Sequence, residues 1–323
     1  MTGSGNKFRI LSLDGGGTRG FLSASILKNI EGHLNHKTSD SKTIGQHFDL
    51  IAGTSTGGII ALALAVGMSA KDITRFYEEN IPLIFNSPHK WSNVRWLFKP
   101  KYSSAALSSC LGEFFKEKTL HHVITDVCIT SVSLQNAKPR LYKSDYLARN
   151  LSRLDEKLAD IAGATSAAPT YFRAHSLKHS NNLIDGGMCA NNPAMVALVE
   201  ALQFERASKR GTPRANNPAE IVMLSVGTGE QCAMPYNMDA LSSGGLFDWI
   251  RFPLGDVPML EVLFQSQSQL VHFQAQFLLR DRYLRINPLL KSPMKLDDVT
   301  HVSELKNLAD MTSEIESFIS TYF

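Results

Sequence analysis

The chain reads as an α/β fold of three layers, with a mostly parallel central sheet and helices on both faces. Three observations predict it. Short apolar runs alternate with longer stretches of helical periodicity, the pattern of strands joined by crossover helices. Three run-to-helix junctions break into glycines, at Gly15-Gly16-Gly17, at Gly53 to Gly58 and at Gly186-Gly187. Finally, 323 residues with 43% hydrophobic and 20% charged side chains suffice for a sizeable core of ordinary globular composition.

Phe8 to Leu13 is the first predicted strand, and Phe21 to Leu34 a helix with Phe21, Leu22, Ile26, Leu27, Ile30 and Leu34 on its apolar positions. A polar loop, Asn35 to Gly45, leads to a second strand at Phe48 to Ala52 and a helix at Gly57 to Val66. Ser69 is placed to cap a further helix over Ala70 to Asn80. Val123 to Ser131, rich in Val, Ile, Thr and Cys, is a third strand, and Leu154 to Ala164 a helix running into Thr165-Ser166-Ala167-Ala168-Pro169. Leu183 to Asp185 is a short strand, and Pro193 opens a helix over Ala194 to Ser208. After the polar loop Lys209 to Ala219, the strand Ile221 to Val226 ends in Gly227-Thr228-Gly229. With no repeat or low-complexity tract, residues 1–323 are expected to form one domain.

A formal charge of +3 is too small to argue for a nucleic-acid polymer as partner. Cys110, Cys128, Cys189 and Cys232 are scattered, which speaks against zinc and against a disulfide framework. The opening residues lack an apolar signal core, and the expected compartment is the reducing cytoplasm. Leu50 to Met68 carries no charge and is long enough for a membrane span. Its four glycines and the run Thr54-Ser55-Thr56 favour a buried strand, turn and helix instead.

Cleavage of an ester by acyl transfer needs a nucleophile, a base and donors for the developing oxyanion. Ser55, within Gly53-Thr54-Ser55-Thr56-Gly57, occupies a nucleophile elbow, where flanking residues without side chains permit the tight turn. Gly15, Gly16 and Gly17 can aim N–H groups at one point ahead of a helix N-terminus, while Arg19 adds charge there or holds the loop. Asp185, before Gly186-Gly187, stands at a strand end where its carboxylate can reach a hydroxyl.

The run Gly15-Gly16-Gly17-Thr18-Arg19-Gly20 after Leu11-Ser12-Leu13-Asp14, then Gly53 to Gly57, Ser166 to Phe172, Asp185-Gly186-Gly187 and Asn191-Asn192-Pro193, resembles the patatin-like phospholipases in content and order. The resemblance runs from about Phe8 to about Val226, more weakly at Tyr283-Leu284-Arg285-Ile286; residues from about 230 to 323 match less and could act as lid or regulatory part. It implies a lipid acyl hydrolase with a Ser-Asp dyad: Ser55 as nucleophile, Asp185 as base, Gly15 to Gly17 as oxyanion loop and Arg19 its basic companion. No metal or cofactor is implied, and the substrate would be a phospholipid membrane surface, met at its inner face. The compact form also resembles anti-phage effectors switched on by cyclic dinucleotides, which makes such a nucleotide a candidate activator.

Other readings stand beside this one. Gly15-x-Gly17-x-x-Gly20 fits the dinucleotide fingerprint by letter, but Asp40 lies in a polar loop rather than at the end of a second strand. His272 and His301 follow Ser55 and Asp185 in the order of an α/β-hydrolase triad. A non-catalytic lipid-binding module would keep the fold alone. Ile81 to Tyr102 combines Trp91, Trp96 and Phe98 with Lys90, Arg95, Lys99 and Lys101, a composition suited to an anionic lipid interface or to packing over the core. Trp249, in Leu246 to Pro253, sits in a segment that could form a lid. Arg280, Arg282 and Arg285 offer cations without a nucleotide motif and read equally as a strand's solvated face.

Overall fold

The computed structural model describes residues 7–38, 42–85, 99–144, 154–203, 215, 217–250, 257–310 and 312–323. Its first unit is β1 (Phe8–Leu13), the glycine loop and α1 (Gly20–Thr38); its second is β2 (Leu50–Gly53) running into α2 (Thr56–Ala65) and α3 (Ala70–Ile84). After α4 (Ser104–Phe115) the chain enters β3 (Asp126–Ser133), folds back as β4 (Lys138–Lys143) and continues into α5 (Leu158–Thr165). A hairpin, β5 (His175–Leu177) and β6 (Ser180–Asp185), leads through α6 (Gly187–Ala190) to α7 (Ala194–Leu202). Then follow β7 (Ile221–Val226), α8 (Met238–Ser243), α9 (Leu246–Ile250), the long α10 (Pro258–Leu279), β8 (Tyr283–Ile286), α11 (Val302–Leu305) and α12 (Ser313–Tyr322).

Five strands run parallel in the order β3-β2-β1-β7-β8. The chain builds outward from β1 to β3 and then crosses to β7, so the order reverses beside β1, where open α/β sheets place their ligand crevices. Alternation within the strands divides the core. Leu11, Leu13, Ile51, Val127 and Ile129 face one apolar cluster with α1, α2 and α3, whereas Phe8, Ile10, Leu50, Ala52 and Cys128 face another with α7 and the end of α10. The expected three layers are therefore present.

The antiparallel part was not foreseen. β4 lies along one edge of β3 from Cys128 to Ser133, which leaves β2 and β6 to share the other. β2 runs parallel to β3 and stops with Gly53 opposite Ile129; β6 runs antiparallel and stops with Asp185 opposite Ser131. The two strands thus meet head to head, one β3 residue apart. Thr130 is that residue: its hydroxyl bonds the Thr54 hydroxyl at 2.7 Å, and a Cβ on Gly186 would come within 2.1 Å of it.

Leu50 to Met68 proves to be β2, the elbow and the wholly buried α2. Among the described residues no helix is long and apolar enough to cross a membrane.

Candidate active site

Sterics build the elbow. Ser55 has φ 53°, an unfavourable backbone for a residue with a side chain, and it is held there by its surroundings. A Cβ on Gly53 would lie 2.3 Å from the Gly57 carbonyl, and one on Gly57 would lie 2.3 Å from the Leu13 carbonyl, so strand, turn and helix close only over glycine. The Ser55 N–H donates to Thr165 Oγ1 at 2.8 Å. Thr165 ends α5 and also takes the Gly186 N–H on its carbonyl, so one residue pins both the elbow and the end of β6.

Head-to-head strand ends place the hydroxyl against the carboxylate. Ser55 Oγ donates to Asp185 Oδ2 at 2.6 Å, and the Gly187 N–H donates to Oδ1 at 2.7 Å. Asp185 is 1% exposed and Ser55 9%. Burial raises the Asp185 pKa to about 7, with the Ser55 and Gly187 hydrogen bonds holding it back. A carboxylate poised there can accept a hydroxyl proton near neutrality.

The glycine loop sits opposite, at the end of β1. The Gly15 N–H is committed to the Asn191 carbonyl at 3.0 Å, while the N–H groups of Gly16 and Gly17 meet no acceptor among the described residues. Gly16 and Gly17 are also the two that line the pocket with Ser55. Arg19 is buried; it reaches back to the Gly16 carbonyl at 3.5 Å and across to the Met294 carbonyl at 3.4 Å, and so stays with the loop it follows. Thr18 N–H donates to the Leu296 carbonyl, and a Cβ on Gly17 would come within 2.0 Å of that same oxygen.

Arg285 corrects an expectation. It is not on a solvated face: its guanidinium donates twice to Asp14, at 2.8 and 2.6 Å, and once to Ser225 at 2.8 Å, with Asp14 buried and the Arg285 side chain only 9% exposed. Burial pushes the Asp14 carboxyl up while the guanidinium pulls it back; the carboxylate in turn strengthens proton binding on Arg285. Asp14 immediately precedes the glycine loop, so this pair fixes where the loop begins. Sequence reasoning also gave no role to Thr130 or Thr165. Their hydroxyls lie in runs that read simply as strand and helix end, and only tertiary contact reveals their use.

The pocket over Ser55 and Asp185 is narrow, about 70 Å³. Its walls are apolar: Phe76, Tyr77, Ile81 and Ile84 from one side of α3, Tyr171 and Phe172 after α5, Phe264 of α10 and Leu296. No histidine lines it among the described residues. His272 meets the Tyr283 hydroxyl at 3.3 Å, and His301 pairs with Asp298 three residues before it. Trp249 is half-buried on α9 and does not line the pocket. Asp40, Lys90, Trp91, Arg95, Trp96 and Phe98 lie outside the described residues. Lys101, from the same basic stretch, is bound to Asp297 at 2.6 Å and lies over the Tyr102 and Tyr171 rings.

A serine on a strand-to-helix elbow, bonded to a buried carboxylate at the carboxyl ends of a parallel sheet and facing an apolar pocket, defines the class: an esterase built for acyl groups of lipid character. The chain belongs to the patatin-like phospholipase family, whose model matches residues 11–198. It is 33% identical to patatin-like protein 4 of Arabidopsis thaliana, over 98% of this chain and 84% of that protein. With patatin-like protein 2 of the same plant it shares 32% identity over 96% and 83% of the two chains. Among solved structures, VipD from Legionella pneumophila aligns at TM-score 0.47 and 12% identity, covering 98% of this chain and 67% of VipD.

Proposed function

We propose that the protein hydrolyses fatty acyl esters of membrane phospholipids with Ser55 as nucleophile and Asp185 as the general base. The observation that carries this reading is the 2.6 Å bond from Ser55 Oγ to a carboxylate buried beside an apolar pocket. Ser55 Oγ attacks the acyl carbonyl carbon as its proton passes to Asp185 Oδ2. The oxyanion that forms is met by the Gly16 and Gly17 N–H groups, near the N-terminus of α2. Collapse breaks the ester C–O bond, and the departing lysolipid alkoxide takes the proton from Asp185. Water then attacks the acyl-serine with Asp185 again as base, releasing the fatty acid and restoring Ser55.

A fluorophosphonate probe tests this directly. It should label the wild-type protein and not Ser55→Ala, and phospholipid vesicles should yield free fatty acid with the former alone. Folded wild-type protein that neither labels nor hydrolyses would favour the non-catalytic lipid-binding reading. The cyclic-dinucleotide activator implied by the resemblance of the compact chain is tested in the same vesicle assay, run with and without a panel of such nucleotides. Indifference to all of them removes it.

A further inference from the structure

We infer that the outer face of α10 is an interface between two copies of this chain. Leu270, Phe273 and Phe277 are 58%, 69% and 71% exposed, with Leu278 beside them at 41%. Their spacing of three and four residues puts the first three on one stripe of the helix. The stripe continues the heptad toward the helix start through Ser266, Leu263 and Met259. Taking an aromatic side chain at about 200 Å² and a leucine at somewhat less, the four exposed side chains offer about 450 Å² of apolar surface. That matches the apolar share of a standard interface, which buries about 800 Å² per partner of which somewhat over half is apolar.

Two features favour a second copy over a bilayer. Between Glu261 and Arg280 the helix carries no Asp, Glu, Lys or Arg, and glutamines 267, 269, 274 and 276 flank the stripe. An anionic lipid surface is met by several cations beside the apolar residues, and this helix offers none before Arg280 at its end. Position decides further. Phe264 of the same helix lines the pocket, so Phe277, thirteen residues on, lies about 20 Å away along the axis at 1.5 Å per residue. A membrane gripped there would be held away from Ser55. Uncharged glutamine flanks, by contrast, let two such helices approach without like-charge repulsion.

Closure sets the symmetry. The stripe is a single patch on one helix, so a pair that buries it on both copies is two-fold symmetric, and Phe273, midway between Leu270 and Phe277, meets its own copy near the axis.

Analytical ultracentrifugation of the full chain at micromolar to tens of micromolar concentration tests this. Wild type should sediment as a dimer and Phe273→Glu/Phe277→Glu as a monomer, with turnover of a soluble ester within twofold of wild type. In a Cys232→Ser background, Phe273→Cys should crosslink to itself on mild oxidation. A wild type that stays monomeric throughout, or a double variant that keeps the dimer mass, overturns the inference. So does a monomeric wild type whose Phe273→Glu/Phe277→Glu variant loses co-sedimentation with phosphatidylglycerol/phosphatidylcholine vesicles, which would assign the stripe to lipid.

Discussion

The two sides of the pocket are made differently. On one, residues 11–198 match the family model and carry Ser55, Asp185 and the glycine loop on turns so tight that only glycine closes them. On the other, residues beyond that stretch contribute Arg285, Leu296 and Phe264, which hold the glycine loop or cover the pocket through an ion pair to Asp14, a carbonyl and apolar packing. The first region carries Ser55 against Asp185, and the second braces the loop and the pocket beside them. Recognisable motifs mark the chemistry, while its support is spread through segments with no motif of their own.

The largest effect that sharpens this contrast is expected in the first region. Asp185→Asn should lower kcat/KM for a soluble ester by about 10³-fold or more, as loss of a general base does in related mechanisms. In wild type, kcat/KM should rise with pH through about 7, because Asp185 accepts the proton only when ionised. Stability should move the other way. The folded pKa, about 7, lies above the ordinary 3.8, so the native state binds this proton more tightly than the unfolded chain. Stability from this group is therefore full below pH 3.8 and is lost as pH rises to about 7, by about 4 kcal/mol in all. Asp185→Asn should accordingly melt higher than wild type at pH 8, with the gap closing toward pH 4. A flat pH profile together with an active Asp185→Asn protein would break the dyad.

A loss of similar size in stability tests the second region. Arg285→Met strands the Asp14 carboxylate in the interior and should cost about 3–5 kcal/mol in urea unfolding, with kcat falling more than KM rises. Adding Asp14→Asn should restore most of the stability, since the unpaired charge is gone. If Arg285→Met costs under about 1 kcal/mol, the pair behaves as an exposed one and the supporting role disappears.

Thr165→Val is expected to act more mildly. It leaves the Ser55 N–H without its acceptor, for about 1–3 kcal/mol. Because that N–H fixes the elbow, activity should fall more than the loss of stability alone accounts for. The smallest effects belong to the histidines: His272→Ala and His301→Ala should each keep kcat/KM within about twofold and stability within about 0.5 kcal/mol, as surface changes do. A dead histidine variant beside an active Asp185 variant would restore the triad.

What the sequence made legible follows the same division. The three glycine turns, the parallel core and the strand-end places of Ser55 and Asp185 were visible because each depends on local geometry, an apolar run ending where a side chain cannot fit. β4 was not visible. Lys138-Pro139-Arg140 carries no apolar alternation of its own, and the strand forms there only because β3 supplies the partner. Arg285 read as one of three surface cations, because nothing within Tyr283 to Ile286 says that an aspartate 271 residues earlier awaits it. Helix limits slipped for a related reason: Leu158–Thr165 replaces the expected start at Leu154, whose polar neighbours Asp155, Glu156 and Lys157 instead make contacts to the residues around them.

The shared edge of β3 stores the spacing of the serine and aspartate as a count of one residue, Thr130, between Ile129 and Ser131. Insertions and deletions in the loops between Ser133 and Ser180 leave that count untouched, so the intervening chain can lengthen or shorten there provided Thr165 keeps its place. One residue added within the count moves the two ends about 3.4 Å apart and turns the pairing to the opposite face. In genetic terms, the distance between Ser55 and Asp185 is inherited as strand register.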